Sequence, residues 1–252
     1  MILSSIILGQ GPIVIILHGL FGEGKNWLSI AKLISNSFEV HLLDQRNHGN
    51  SFHNRQQNYQ LMASDLNKYL KSKNISKFFL LGHSMGGKVA MEFALLNPKN
   101  VDKLIIVDIA PKLYKENHEH IFKGLKHVLL KAESRKQAQA ILMDYAHDII
   151  LTNFLLKSLF FSETKPKLKF NSSAIEDNIQ NMLMPPGKKG GFDGPTYFIC
   201  GEKSNYVTKK DIPYITELFP NNNVITILNA GHWPHFEQKQ KFLDCIQQIL
   251  VE

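Results

Sequence analysis

The chain has 252 residues, enough for one large α/β domain or a core carrying an insertion, and its 44% hydrophobic and 20% charged content excludes fibrous and disordered classes. Lys and Arg outnumber Asp and Glu by 29 to 22, a formal charge of +7, yet no run of like charges forms a nucleic-acid arm, so nucleic acid is not an expected partner. Cys200 and Cys245 lie far apart with no C-x-x-C spacing and read as buried free thiols of a reducing compartment.

The N-terminal stretch MILSSIILGQGPIVIILHG is apolar, but it has no cation before Lys25, is interrupted by Gly9 and Pro12, and is followed by no small-residue cleavage site. It reads as neither a signal peptide nor a membrane span, so a cytoplasmic location without a membrane partner is expected. Short β-branched runs predict strands at residues 2–8, 13–17, 38–43, 77–81, 104–108, 196–200 and 224–228. Runs such as PIVIIL and KLIIVDI are apolar at nearly every position, which suits strands covered on both faces.

Helical spacing fills the gaps. Trp27, Ile30, Ala31 and Ile34 share one face, as do Met62, Leu66, Tyr69 and Leu70. Val89, Ala90 and Phe93 open a helix that must stop near Asn97-Pro98, and Phe242, Ile246, Ile249 and Leu250 stripe the last one. The βα alternation breaks between about Lys112 and Gly191, where helical runs at 119–130, 134–147 and 151–161 precede a PPGKKGG hinge. These patterns predict a mostly parallel central sheet with helices on both faces and a helical cap insertion. The expected division is core 1–111, cap 112–190 and core 191–252.

Gly82-His83-Ser84-Met85-Gly86 fits G-x-S-x-G, and its setting carries more weight than the pattern. A strand, KFFLL, precedes it and a helix, MGGKVAMEFALL, follows it. A nucleophilic serine on so tight a turn needs small neighbours so that strand and helix can approach, and Gly82, Gly86 and Gly87 provide them. The hydroxyl also needs a base. Of eleven histidines, His232 is distinguished by following the last core strand, where carboxyl-end loops of α/β sheets assemble their sites. His235 is the runner-up and reads as a surface group at a helix start. His18 and His83 read as loop-orienting groups. His118 and His120 lack further ligands at zinc spacing, so no metal is expected. The amide of Met85, just after the nucleophile at a helix N-terminus, is a natural oxyanion donor.

Taken together, HGLFG, DQRNHGNS, GHSMGGK, VDIAP, GEKSNYV and AGHWPHFE resemble the YbfF-like esterases of the α/β-hydrolase superfamily, from about Gly11 to the C-terminus. The resemblance puts a second oxyanion donor on the amide of Leu20, ahead of Phe21. It also implies an unusual acid. Most α/β-hydrolases carry the aspartate after the penultimate strand, three residues beyond Gly201, where this chain has Ser204. Glu202 and Asp211 are close by, but Thr208-x-x-Asp211 reads as a helix-capping box. Asp108, ending the strand beside the nucleophile's own, preserves the order Ser…Asp…His and is the acid the subgroup uses. Ser204 is then expected to touch His232. The short N-terminus implies that the usual first strand is left out.

The expected activity is a serine hydrolase that cleaves carboxylic esters or thioesters of small to medium acyl groups through an acyl-enzyme, with no cofactor. An acyltransferase or carbon–carbon bond hydrolase would use the same residues, and a non-catalytic ligand-binding protein would use the same scaffold. An aspartate nucleophile, as in dehalogenases and epoxide hydrolases, is excluded by Ser84. Residues 111–190 hold 13 Lys/Arg against 8 Asp/Glu, so most of the positive charge lies there and an anionic acyl-CoA is a candidate substrate.

Overall fold

A computed structural model describes residues 1–115, 118–161, 165–187 and 190–251. In chain order the first half of the core holds β1 (Ser5–Leu8), β2 (Ile13–Leu17), α1 (Leu28–Ile34), β3 (Glu39–Leu43), α2 (Tyr59–Ser72), β4 (Phe78–His83), α3 (Met85–Leu96) and β5 (Val101–Val107). The insertion follows, with α4 (Glu119–Lys131), α5 (Arg135–Ala146), α6 (Ile149–Lys157), β6 (Leu159–Phe161), β7 (Pro166–Leu168), α7 (Ser172–Asp177) and α8 (Ile179–Leu183). The chain then returns to the core through β8 (Thr196–Gly201), α9 (Ile212–Leu218), β9 (Asn222–Ile227), α10 (Pro234–Glu237) and α11 (Lys239–Val251).

Among the described residues seven strands form one sheet in the order β1-β3-β2-β4-β5-β8-β9. β1 runs antiparallel at one edge and the other pairings are parallel. The two-residue period of the strands divides their side chains cleanly. Ile15, Leu17, Leu104 and Ile106 point into a core with α2, α3 and α9, while Val14, Ile16, Ile105 and Val107 point into one with α1 and α11. Each such aliphatic chain withdrawn from water contributes about 2 kcal/mol, which explains why the buried strands read as continuous apolar runs.

All seven expected core strands form, with ends that differ by up to three residues. The first begins at Ser5 rather than at residue 2, and the amide of Ser4 instead donates to Ser51 Oγ at 2.8 Å. The insertion departs from its all-helical expectation. The run at 151–161 is a helix only to Lys157; Leu159–Phe161 then pairs antiparallel with Pro166–Leu168. Three-residue strands are too short to show a period of two. Lys188 and Lys189 of the expected hinge lie outside the described residues.

The insertion has an apolar cluster of its own, built on Phe122, Leu125, Val128, Leu142, Leu155 and Leu156, into which Phe21 of the core projects. It is also sewn to the core. His48 and Phe170 form a β-bridge, the amide of Gly49 donates to Lys169 O at 2.7 Å, and that of Asn171 donates to Asn47 O at 2.8 Å. Lys88, on the first turn of α3, is fully buried. Its ammonium donates to the carbonyls of Lys112 (2.9 Å), Leu183 (2.9 Å) and Met184 (2.6 Å), so a single side chain grips both junctions of the insertion. Neither cysteine is in a disulfide; Cys200 is buried, and Cys245 is partly so.

Candidate active site

Ser84 sits between β4 and α3 with φ 52° and ψ −120°, a conformation that L-residues rarely adopt. Its neighbours leave no room for larger groups. A Cβ on Gly82 would strike the carbonyl of Gly86, and one on Gly86 would strike the carbonyls of Leu17 and His18. The amide of Ser84 donates to Val107 O at 3.1 Å, which ties the turn to the end of β5.

Asp108, the next residue along from Val107, is completely buried and also has positive φ (50°). Its amide donates to Ile199 O, which turns the side chain toward the end of β8. There Oδ1 accepts from the Gly201 amide at 3.0 Å, and Oδ2 accepts from both Ser204 Oγ and His232 Nδ1, the latter at 2.7 Å. Ser204 Oγ and His232 Nδ1 therefore meet at one oxygen of the carboxylate.

The remaining acids are occupied elsewhere. Glu202 accepts from the amide of Asn229 on the surface. Asp211 closes the expected capping box with Thr208 and pairs with Lys112 Nζ at 2.7 Å. Burial opposes ionisation of Asp211, but the bonds from Lys112 and Thr208 outweigh it and hold its carboxyl below the ordinary value.

Ser84, His232, Leu20 and Met85 line one cavity of about 140 Å³, whose other walls are mainly apolar, among them Ile109, Ile121, Phe154, Met182 and Trp233. Met85 opens α3, so its amide points from a helix N-terminus. The amide of Phe21, the neighbour of Leu20, donates to His48 Nε2 at 3.3 Å. The Phe21 carbonyl in turn accepts from Ser158 Oγ at 2.7 Å, so the loop is held from the core and from the insertion.

Two of the lesser histidines, His18 and His83, are buried supports. His18 donates from Nδ1 to Gly19 O at 2.8 Å and accepts at Nε2 from the Gln45 amide at 3.0 Å; burial lowers its pKa to about 4. His83 donates from Nε2 to His232 O at 2.8 Å, and burial, with His232 as the next cause, lowers its pKa to about 3. His235 is buried, not a surface group, and stacks on Trp27 with ring centres 4.0 Å apart. His118 lines the cavity and His120 is exposed.

Some contributors had no sequence signal. The Tyr206 ring stacks on His232 at 3.9 Å, and Trp233 packs edge-on to it at 5.1 Å. Asp44, Arg46 and His48 of DQRNHGNS turn out to brace loops: Asp44 Oδ1 accepts from the Gly24 amide at 2.7 Å, and Arg46 Nε donates to the buried Asp65 at 2.5 Å.

Residues 12–239 match the model of the alpha/beta hydrolase fold family. The chain belongs to that family. Among solved structures this α/β-hydrolase is similar to a marine microorganism esterase, at 40% identity and TM-score 0.93 over 98% of each chain. Among curated proteins it is 34% identical to Esterase YbfF of Escherichia coli K12, over 96% of this chain and 93% of that protein. It is likewise 34% identical to the sn-1-specific diacylglycerol lipase ABHD11 of Xenopus tropicalis, over 94% of this chain and 77% of the lipase. No helix among the described residues is long and apolar enough to cross a membrane.

Proposed function

We propose that this α/β-hydrolase cleaves carboxylic esters, and by the same chemistry thioesters, through an acyl-enzyme on Ser84. The observation that carries the reading is the bond from His232 Nδ1 to the buried Asp108 carboxylate, on a histidine that shares a cavity with a serine held in a strained turn. His232 Nε2 takes the Ser84 proton as Oγ attacks the acyl carbon. The amides of Leu20 and Met85 face the developing oxyanion. As the carbon–oxygen bond to the leaving group breaks, Nε2 passes that proton to the leaving oxygen. Water repeats the sequence and frees the acid. Asp108 keeps the imidazole in the required tautomer, and Ser204 steadies Asp108.

Residues 112–190 act in this reading as a cap between core segments 1–111 and 191–252. The relatives named esterase and lipase support ester hydrolysis. The cavity of about 140 Å³ points to short and medium acyl groups, because a void near 150 Å³ accommodates a benzene-sized molecule. Of the 13 Lys and Arg in residues 111–190, Lys112, Lys123, Lys126 and Lys169 are taken up in ion pairs, and the charge of the others keeps an anionic acyl-CoA a substrate to test.

The test is turnover of 4-nitrophenyl esters from acetate to decanoate by wild type and Ser84→Ala. The expected result is a maximum among the shorter acyl groups and a loss of about 10⁶-fold in the variant. Absence of Ser84-dependent turnover across the series overturns the reading in favour of a ligand-binding scaffold. A steep fall with salt for acyl-CoA but not for a neutral ester would assign the thioester substrate.

A further inference from the structure

The loop after β8 gives no acid to His232, yet it is fitted closely around that base. Tyr206 lays its ring on the imidazole, with centres 3.9 Å apart and planes 20° from parallel. The main chain of Tyr206 is fixed from two sides. Its amide donates to Ser204 Oγ at 3.2 Å, and that hydroxyl donates to Asp108. Its carbonyl accepts from Tyr114 Oη at 2.6 Å, and Tyr114 Oη in turn accepts from the Ala110 amide at 2.8 Å. Ala110 lies two residues beyond Asp108, so the stretch that carries the acid also holds the ring over the base. Tyr114 packs against that ring with 5.4 Å between centres.

The stack and the carboxylate act on different parts of the imidazole. Asp108 meets His232 in the ring plane, at Nδ1, whereas Tyr206 covers a face. A cation over the electron-rich face of an aromatic ring is attracted to it, more strongly where water is excluded. His232 is cationic only while it holds the Ser84 proton, so this attraction is greater in the transition state than in the resting enzyme. The titratable groups around the ring are Asp108 at the end of β5, His83 at the end of β4, His235 in α10 and Tyr206 itself, and Lys88 and His118 line the same cavity. Burial keeps His83 neutral, with a pKa of about 3, and holds His235 well below its ordinary value. The Lys88 ammonium is bound to three carbonyls. Of these groups, Asp108 and Tyr206 favour a charged His232. We propose that Tyr206 is a positioning residue of the base, whose ring fixes the plane of the imidazole and stabilises the imidazolium that forms as Ser84 attacks. The inference rests on the ester-hydrolase reading above. It gives a second role to the loop in which Ser204 stands where the acid is usual.

The pH dependence of kcat/KM for 4-nitrophenyl acetate tests it, in wild type, Tyr206→Leu and Tyr206→Phe, from about pH 5.5 to about pH 8.5. Both bonds that fix Tyr206 are made by its main chain, so these substitutions leave them in place. Loss of the aromatic face disfavours the charged imidazole, so the pKa of His232 falls. His232 acts as a base only when neutral, so the acid limb of the Tyr206→Leu profile moves to lower pH, by about half to one pH unit, while the plateau drops about three- to tenfold. The ratio of wild type to Tyr206→Leu therefore shrinks toward acid pH. Tyr206→Phe keeps the face and restores the limb, with a plateau within about twofold of wild type. Urea unfolding checks that the leucine variant is folded; Tyr206→Met, closer in volume, carries the same expectation if it is not. A lower plateau with an unmoved acid limb makes Tyr206 a wall of the cavity and overturns the proposal, as does equal behaviour of the leucine and phenylalanine variants. Wild type that fails to turn over the ester through Ser84 defeats the underlying reading instead, so the two failures are distinct.

Discussion

His232 Nδ1 and Ser204 Oγ converge on the same oxygen of Asp108, although the three residues come from the ends of three different strands. The acid that would ordinarily follow β8 has become a hydroxyl that donates to an acid on β5. On the proposed mechanism Asp108→Asn lowers kcat by about 10⁴-fold, because the amide no longer holds the imidazole tautomer. Asp211→Asn leaves kcat within about twofold and costs about 1 kcal/mol of stability through its helix cap. Steady-state rates and urea melts of the two variants check the pair; near-normal turnover by Asp108→Asn would show the assignment to be wrong.

Ser204→Ala removes one of three donors to a buried carboxylate. A hydrogen bond to a charged group contributes about 1.5–3 kcal/mol, so a fall in kcat of at least about tenfold is expected, with KM little changed. Ser204→Thr keeps the donor and should retain most of the rate. If alanine and threonine behave alike, Ser204 is only a space-filler.

Lys88→Met keeps much of the volume but removes the buried ammonium that three carbonyls at the insertion junctions share, leaving Leu183 O with only the Tyr114 amide. An expected loss of about 3 kcal/mol should appear in urea unfolding. Trypsin should also cut within residues 112–190 faster than in wild type.

Buried neutral histidines make the fold sensitive to acid. Burial lowers the folded pKa to about 4 for His18 and about 3 for His48 and His83, against 6.5 when unfolded. The unfolded chain therefore binds more protons between these values. The stabilisation is complete above pH 6.5 and is lost as pH falls toward 3–4, at about 2 kcal/mol per histidine between pH 7.5 and pH 5. Three such groups rival the net stability of a typical domain. Urea midpoints should be flat from pH 7 to 8 and collapse near pH 5; a constant midpoint down to pH 5 would contradict this.

The local chemistry was readable because it is written in adjacent residues. The strand–Gly-x-Ser-x-Gly–helix order specifies a steric problem with one solution, and the structure shows that solution in the backbone of Ser84. His232 could be picked out by its place after the last strand. The short β6–β7 pair was not readable, because three residues carry no period. Nor was the burial of His235, whose polar ring is covered only when Trp27 arrives from a distant part of the chain.

The serine turn, the core strands and the switch to an insertion were thus determined by the sequence itself, since each rests on contacts within a few residues or on a repeating apolar pattern. Which carboxylate His232 meets was decided only in three dimensions. Asp108 and His232 are 124 residues apart, and their contact depends on β5 lying beside β8 in a sheet whose strand order is not chain order. The same is true of the Phe21 amide, which His48 takes up from another loop, and of a slot behind Trp233, which exists only where the insertion meets the core.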